Sequence, residues 1–83
     1  MHTSGLVRNG GIYIKGFTFH TKTDDGYVRI RQRVGRHSRR VWQANVPTAP
    51  DSREKDFSGK GMWYFNLYVA EMSDDSVLYI HLQ

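Results

Sequence analysis

The chain has 83 residues, no cysteine and a formal charge of +4 at neutral pH. A single domain over residues 1–83 is expected, one that buries only about 60% of its unfolded-chain surface, so tight packing or pairing into a homodimer is expected with it. The lack of cysteine excludes disulfides, thiolate catalysis and thiolate zinc sites. With neither a signal-peptide pattern nor an apolar run of membrane-spanning length, the composition points to a cytoplasmic protein with no membrane partner.

Charge is distributed unevenly. Residues 1–48 hold nine Lys/Arg against two Asp, whereas residues 49–83 hold three against six. One pole of such a chain attracts polyanions or an acidic protein face, unless the fold interleaves the two halves.

In chain order, residues 1–10 are polar and glycine-rich, and read as a loose N-terminal segment or a short edge strand. Residues 11–22 read as a strand whose parity slips at Gly16, since Ile12 and Ile14 are even-numbered but Phe17 and Phe19 are odd-numbered. A β-bulge at the glycine lets both pairs face one core. Asp24-Asp25-Gly26 then carries the residue types of a hairpin turn.

Tyr27 to Val46 dominates the sequence, with six arginines and no acid. Val28, Ile30 and Val34 alternate with Arg29, Arg31 and Arg33, so a strand puts three guanidinium groups in a row on one face. Gly35 to Ser38 supplies a turn, and residues 39–46 return as the second strand of an arginine-decorated hairpin. Pro47 and Pro50 stop it. Residues 51–57 follow as a short helical turn or as part of a long loop. Residues 62–71 read as one strand, with Trp63, Phe65, Leu67 and Val69 on one face and Tyr64 and Tyr68 on the other. Ser73-Asp74-Asp75 forms a turn, and residues 77–82 close the chain with Tyr79 and His81 on one face. The expected fold is all-β: an antiparallel sheet of about five strands, rolled into an SH3-like or OB-like barrel or packed as a small sandwich.

The arginines carry the functional signal. Guanidinium groups bind phosphate bidentately and cannot lose their charge. Alternate residues on a strand lie about 6.5 to 7 Å apart, a spacing suited to tracking an extended nucleic-acid backbone. The plainer reading is a charged edge hairpin guarded against pairing with other chains, although lysine is the usual guard. Outward tyrosines beside arginines suit base stacking, a protein interface or cross-strand pairing equally.

The four histidines show no metal-ligand spacing, and Gly59-Lys60-Gly61 lacks the rest of a phosphate loop and reads as a glycine turn. No metal or other cofactor is expected. A ribonuclease built from His20, His37 or His81 with Glu54 or Glu71 and an arginine remains a further alternative.

The expectation is therefore a non-enzymatic module that binds nucleic acid, single-stranded or RNA, through Arg29, Arg31, Arg33, Arg36, Arg39 and Arg40, with Tyr64, Tyr68 and Tyr79 as stacking candidates. The alternative is a protein-interaction module, such as a small phage or mobile-element inhibitor, docking an acidic partner surface.

Overall fold

Alternation of apolar and polar side chains carries most of the chain into strands. The computed structural model describes residues 5–6, 10–57, 59 and 61–82. Every regular element among them is a β-strand: β1 (Gly5–Leu6), β2 (Gly11–Thr21), β3 (Gly26–Val34), β4 (His37–Val46), β5 (Asp51–Asp56), β6 (Met62–Phe65), β7 (Leu67–Met72) and β8 (Ser76–Leu82). All pairings are antiparallel. One sheet has the order β1-β7-β3-β4. In the other, β2 carries β5 and β6 along successive parts of one edge and β8 along the opposite edge.

The Cα envelope measures 34 × 29 × 15 Å, a thickness that fits two sheets face to face at a spacing of about 10 Å. The result is a small antiparallel sandwich rather than a closed barrel of five strands. Its core draws on both layers, with Ile14, Phe17 and Phe19 from β2 and Tyr64 from β6 meeting Val28, Ile30, Val46 and Leu67. Phe17 stacks on the Trp42 ring of β4 at 5.5 Å between centroids and 6° between planes, so one aromatic pair ties the sheets together. The expected bulge is present. The β2–β8 register shifts between Ile14 and Gly16, and Ile14, Phe17 and Phe19 all point inward as a result.

The turn at Asp24-Asp25-Gly26 does a different job from the one its residues announce. Asp25 has φ 58° and the Gly26 N–H donates to the Thr23 carbonyl at 3.0 Å, so the turn forms. Yet β2 and β3 belong to different sheets, and the turn is a crossover rather than a hairpin. Both edges of β2 are already occupied by β5, β6 and β8, which leaves β3 no place beside it. Ser73-Asp74-Asp75 likewise passes from β7 in one sheet to β8 in the other.

The two crossovers are stitched together. Lys22 N–H donates to the Asp75 carbonyl at 3.0 Å, and the Thr23 hydroxyl to the Asp74 carbonyl at 2.9 Å. Beneath them the buried Thr21 hydroxyl accepts from Ser76 at 2.8 Å, Ser76 and Ser73 hydroxyls lie 2.9 Å apart, and Ser73 accepts from the Tyr27 N–H at 3.0 Å. This chain of hydroxyls satisfies the polar groups where the layers close.

Two further expectations are corrected. Residues 51–56 are neither helix nor loop: they form β5, paired with Gly16–Thr21 of β2. No apolar period marks this stretch; it is an edge strand held by backbone pairing, and charged side chains suit an edge. Residues 62–71 are not one strand, because Asn66 at φ 52° breaks them into β6 and β7 in different sheets. The break resets the parity, so that Tyr64 and Leu67 both face the core while Trp63 and Phe65 face outward. At the N-terminus, Gly5–Leu6 pairs with β7 as the short edge-strand reading expects; the rest of residues 1–9 lies outside the described residues.

Candidate functional site

Burial of Val28 and Ile30 fixes the outward row on β3, which comprises Tyr27, Arg29, Arg31 and Arg33. The return strand starts earlier than its composition implies. Val34 pairs with His37 across a two-residue Gly35-Arg36 turn, and Gly35 supplies the positive φ, 61°. Arg31 lies opposite Arg40 on one side and Tyr68 on the other, and Arg33 lies opposite Ser38. Arg39 pairs with Gln32 and so belongs to the other face, and Arg36 sits at the turn. The six arginines therefore divide: Arg29, Arg31, Arg33 and Arg40 share a face, while Arg36 and Arg39 flank it. From Arg33 to Arg40 every residue is exposed.

The guanidinium groups are held differently along the row. Arg29 is closed off at the base, in an ion pair with Glu71 at 3.0 Å and 5.2 Å from the centroid of the Tyr27 ring. Arg31 Nε donates to Ser38 Oγ at 2.8 Å, and Ser38 Oγ also bonds the Tyr68 hydroxyl. Arg33 lies over the Tyr68 ring at 5.8 Å. These contacts orient Arg31 and Arg33 without neutralising them. No carboxylate among the described residues pairs with Arg31, Arg33, Arg36, Arg39 or Arg40.

The charged segment 51–56 pairs along β2 in the second sheet. There Asp51 accepts from Arg53 at 2.8 Å, a bond that with the Ser52 N–H holds its carboxyl below the usual carboxylate range. Among the described residues the acid that reaches the arginine row is Glu71.

The three tyrosines separate. Tyr68 joins the arginine face. Tyr79 lies opposite Thr18 on the outer side of the second sheet, exposed but away from the row. Tyr64 is a core residue, 8% exposed, and burial raises its hydroxyl pKa above the ordinary value. It offers no face for stacking. Its inward position follows from β6 pairing with the first half of β2, where Tyr64 stands opposite Ile12 and Met62 opposite Ile14.

That pairing exposes a second aromatic group which the reading of residues 62–71 as one strand hides. Tyr13 and Trp63 are each 50% exposed and Phe65 38%. Trp63 is the centre, 6.5 Å from Tyr13 in an edge-on arrangement and 5.9 Å from Phe65. The group joins the arginine hairpin at the β6–β7 corner. Phe65 N–H donates to Gln32 Oε1 at 3.2 Å, Asn66 Nδ2 donates to the Arg33 carbonyl at 3.2 Å, and Arg33 N–H donates to the Asn66 carbonyl at 3.3 Å. The usable signal in the sequence was Tyr13, which has the opposite parity to Ile12 and Ile14.

Among the described residues His20, His37 and His81 do not converge, and no cluster of three or more metal-ligating side chains forms there; His2 lies outside the described residues. His81 bonds the Thr18 hydroxyl at 2.7 Å and, with Glu54, Lys15 and Lys55, borders a shallow depression on the second sheet. His20 bonds Ser52 at 2.8 Å, whereas His37 stands at the arginine hairpin and Glu71 is taken up by Arg29. Of the phosphate-loop-like triplet, Gly59 and Gly61 have positive φ, as a glycine turn requires, and Lys60 lies outside the described residues. No helix among the described residues is long and apolar enough to cross a membrane.

Comparison with protein-family models, with curated proteins and with solved structures finds no match for this chain. The functional reading rests on the geometry.

Proposed function

We propose that the protein is a non-enzymatic module that binds nucleic acid through the outer face of the β3–β4 hairpin. Arg31, Arg33 and Arg40 make the phosphate contacts, Arg36 and Arg39 extend the positive field, and Arg29 is restrained by Glu71. The observation that carries this reading is the placement of Arg31 and Arg33: oriented by Ser38 and Tyr68, yet paired with no acid among the described residues. A pre-oriented guanidinium loses less side-chain freedom when it grips a phosphate.

Edge protection, the plainer use for such charges, fits this arrangement poorly. β3 is an interior strand between β7 and β4, so Arg29 and Arg31 guard no free edge. Only Arg39 and Arg40, on the edge strand β4, fit that role.

The experiment is fluorescence anisotropy of a labelled oligonucleotide at low salt with nuclease-treated, nucleic-acid-free protein. The reading expects saturable binding that weakens on Arg31→Ala and Arg33→Ala. Absence of binding to any RNA or DNA probe, together with recovery of one protein partner after nuclease treatment, would establish instead the docking of an acidic protein surface. RNA recovered cleaved, with cleavage lost on His81→Ala, would replace the non-enzymatic reading by a ribonuclease centred on the depression beside Glu54.

A further inference from the structure

The Tyr13–Trp63–Phe65 group has no structural task that accounts for its exposure. The core is complete without it, and all three rings present a large fraction of their surface to solvent. Trp63 is nonetheless packed in place: it rests against the bare backbone of Gly11, where a side chain would meet its indole, and it is flanked by both other rings. This aromatic surface lies on the outer side of the second sheet, and hydrogen bonds at the β6–β7 corner link it to Gln32 and the Arg33 backbone of the strand that carries the cationic row. Single-stranded nucleic acid uses such a pairing, stacking for the bases and cations for the backbone.

We propose that Tyr13, Trp63 and Phe65 form a base-stacking platform, and that the ligand is a single strand running from the arginine face round the β6–β7 corner onto this platform. The proposal rests on the nucleic-acid reading of the hairpin and narrows it to unpaired substrates. Bases in a duplex are stacked on one another and show a side chain only their edges, so an aromatic surface on a sheet cannot engage them. The geometry also distinguishes the two parts of the site. Arg31 and Arg33 contact phosphates and set the salt dependence, whereas the platform contacts bases and adds affinity that salt scarcely changes. Lys15, the exposed residue at the β2 bulge two positions beyond Tyr13, supplies a cation at the far end.

A second copy of the chain is the competing occupant. Charge argues against it, since a dimer through this face would carry two arginine hairpins into one assembly with Glu71 alone, among the described residues, set against each row.

The test uses the Trp42→Phe protein, in which Trp63 is the remaining tryptophan. Titration with an oligouridine of about 12 nucleotides, a length within the range of small β-domain sites, is expected to quench the Trp63 emission saturably. A self-complementary duplex of the same length is expected to bind without quenching it. In the anisotropy assay Trp63→Leu is expected to weaken single-strand binding by about tenfold or more, and Trp63→Phe by less, because a phenyl ring still stacks. Comparing thermal unfolding of the two variants separates lost contacts from lost structure. Binding that falls with Arg31→Ala but is indifferent to Trp63→Leu and equal for duplex and single strand overturns the platform while leaving the arginine reading intact. Absence of all oligonucleotide binding overturns both. A concentration-dependent dimer in sedimentation that Trp63→Leu dissolves assigns the face to a second copy, and overturns the platform as well.

Discussion

The indole of Trp63 occupies the space in which a side chain at position 11 would stand, and Gly11 leaves that space open. The same β2 strand carries a second bare position, Gly16, where the neighbour is the backbone carbonyl of Lys55 on β5. The two glycines face obstacles of different stiffness. Gly11→Ala displaces the far end of a half-exposed ring and is expected to cost about 1 kcal/mol or less, with a changed Trp63 emission as the ring swings off its neighbours. Gly16→Ala meets backbone and is expected to cost about 2 kcal/mol or more, because β5 must move away from β2. Urea unfolding of both variants, with tryptophan emission as the readout, checks the order.

Thr21 is buried and its hydroxyl is the hub between Ser76 and the Thr23 N–H. Thr21→Val keeps the shape and removes the hub, leaving the Thr23 N–H short of a partner where the sheets cross over, while the Ser76 hydroxyl turns to the Asp74 carbonyl. The expected loss is about 1 to 3 kcal/mol, the range for an unsatisfied buried polar group. Ser76→Ala, which removes one donor along with its need, is expected to cost less. Chemical denaturation of the two single variants is the measurement.

Glu71 is the one carboxylate among the described residues that pairs with the arginine row. Its pair with Arg29 is substantially exposed on both sides, so Glu71→Gln is expected to change stability by less than about 1 kcal/mol. Binding should respond more. Releasing Arg29 and removing one negative charge from the face is expected to tighten oligonucleotide binding several-fold at low salt, an effect that salt erodes. Anisotropy titrations of the wild type and the variant at two ionic strengths test this.

Burial holds the Tyr64 hydroxyl pKa above its ordinary value of 10.0. The unfolded chain gives up this proton first, so the contribution to stability is whole below about pH 10 and is lost as pH rises through the folded value. Stability should therefore fall on the alkaline side, and Tyr64→Phe should flatten that fall while changing little at neutral pH. Denaturation midpoints for both proteins between pH 8 and pH 11, in roughly half-unit steps, give the comparison.

Local alternation was enough to read the bulge at Gly16 and the arginine row, because each rests on side-chain parity within one strand. Pairing between distant strands could not be read. Asp24-Asp25-Gly26 has hairpin chemistry, but whether β3 pairs with β2 depends on which strands have already filled the edges of β2. The segment 51–56 became a strand for the same reason, through backbone pairing rather than through its charged side chains. Asn66 mattered most to the site. One residue with φ 52° turned Tyr64 inward and Trp63 outward, and asparagine's tolerance of that conformation was a hint beside the parity of Tyr13. The alkaline response of Tyr64 and the stacking role proposed for Trp63 both follow from that one reversal.

If Arg31 and Arg33 bind phosphates, the slope of log Kd against log salt reports it. Each single-strand phosphate neutralised contributes about 0.7 to that slope. Arg31→Ala and Arg33→Ala should each lower it by about that amount, and the double variant by about twice as much, with stability unchanged. A slope near zero in the wild type, or slopes unmoved by the double variant, would contradict the account.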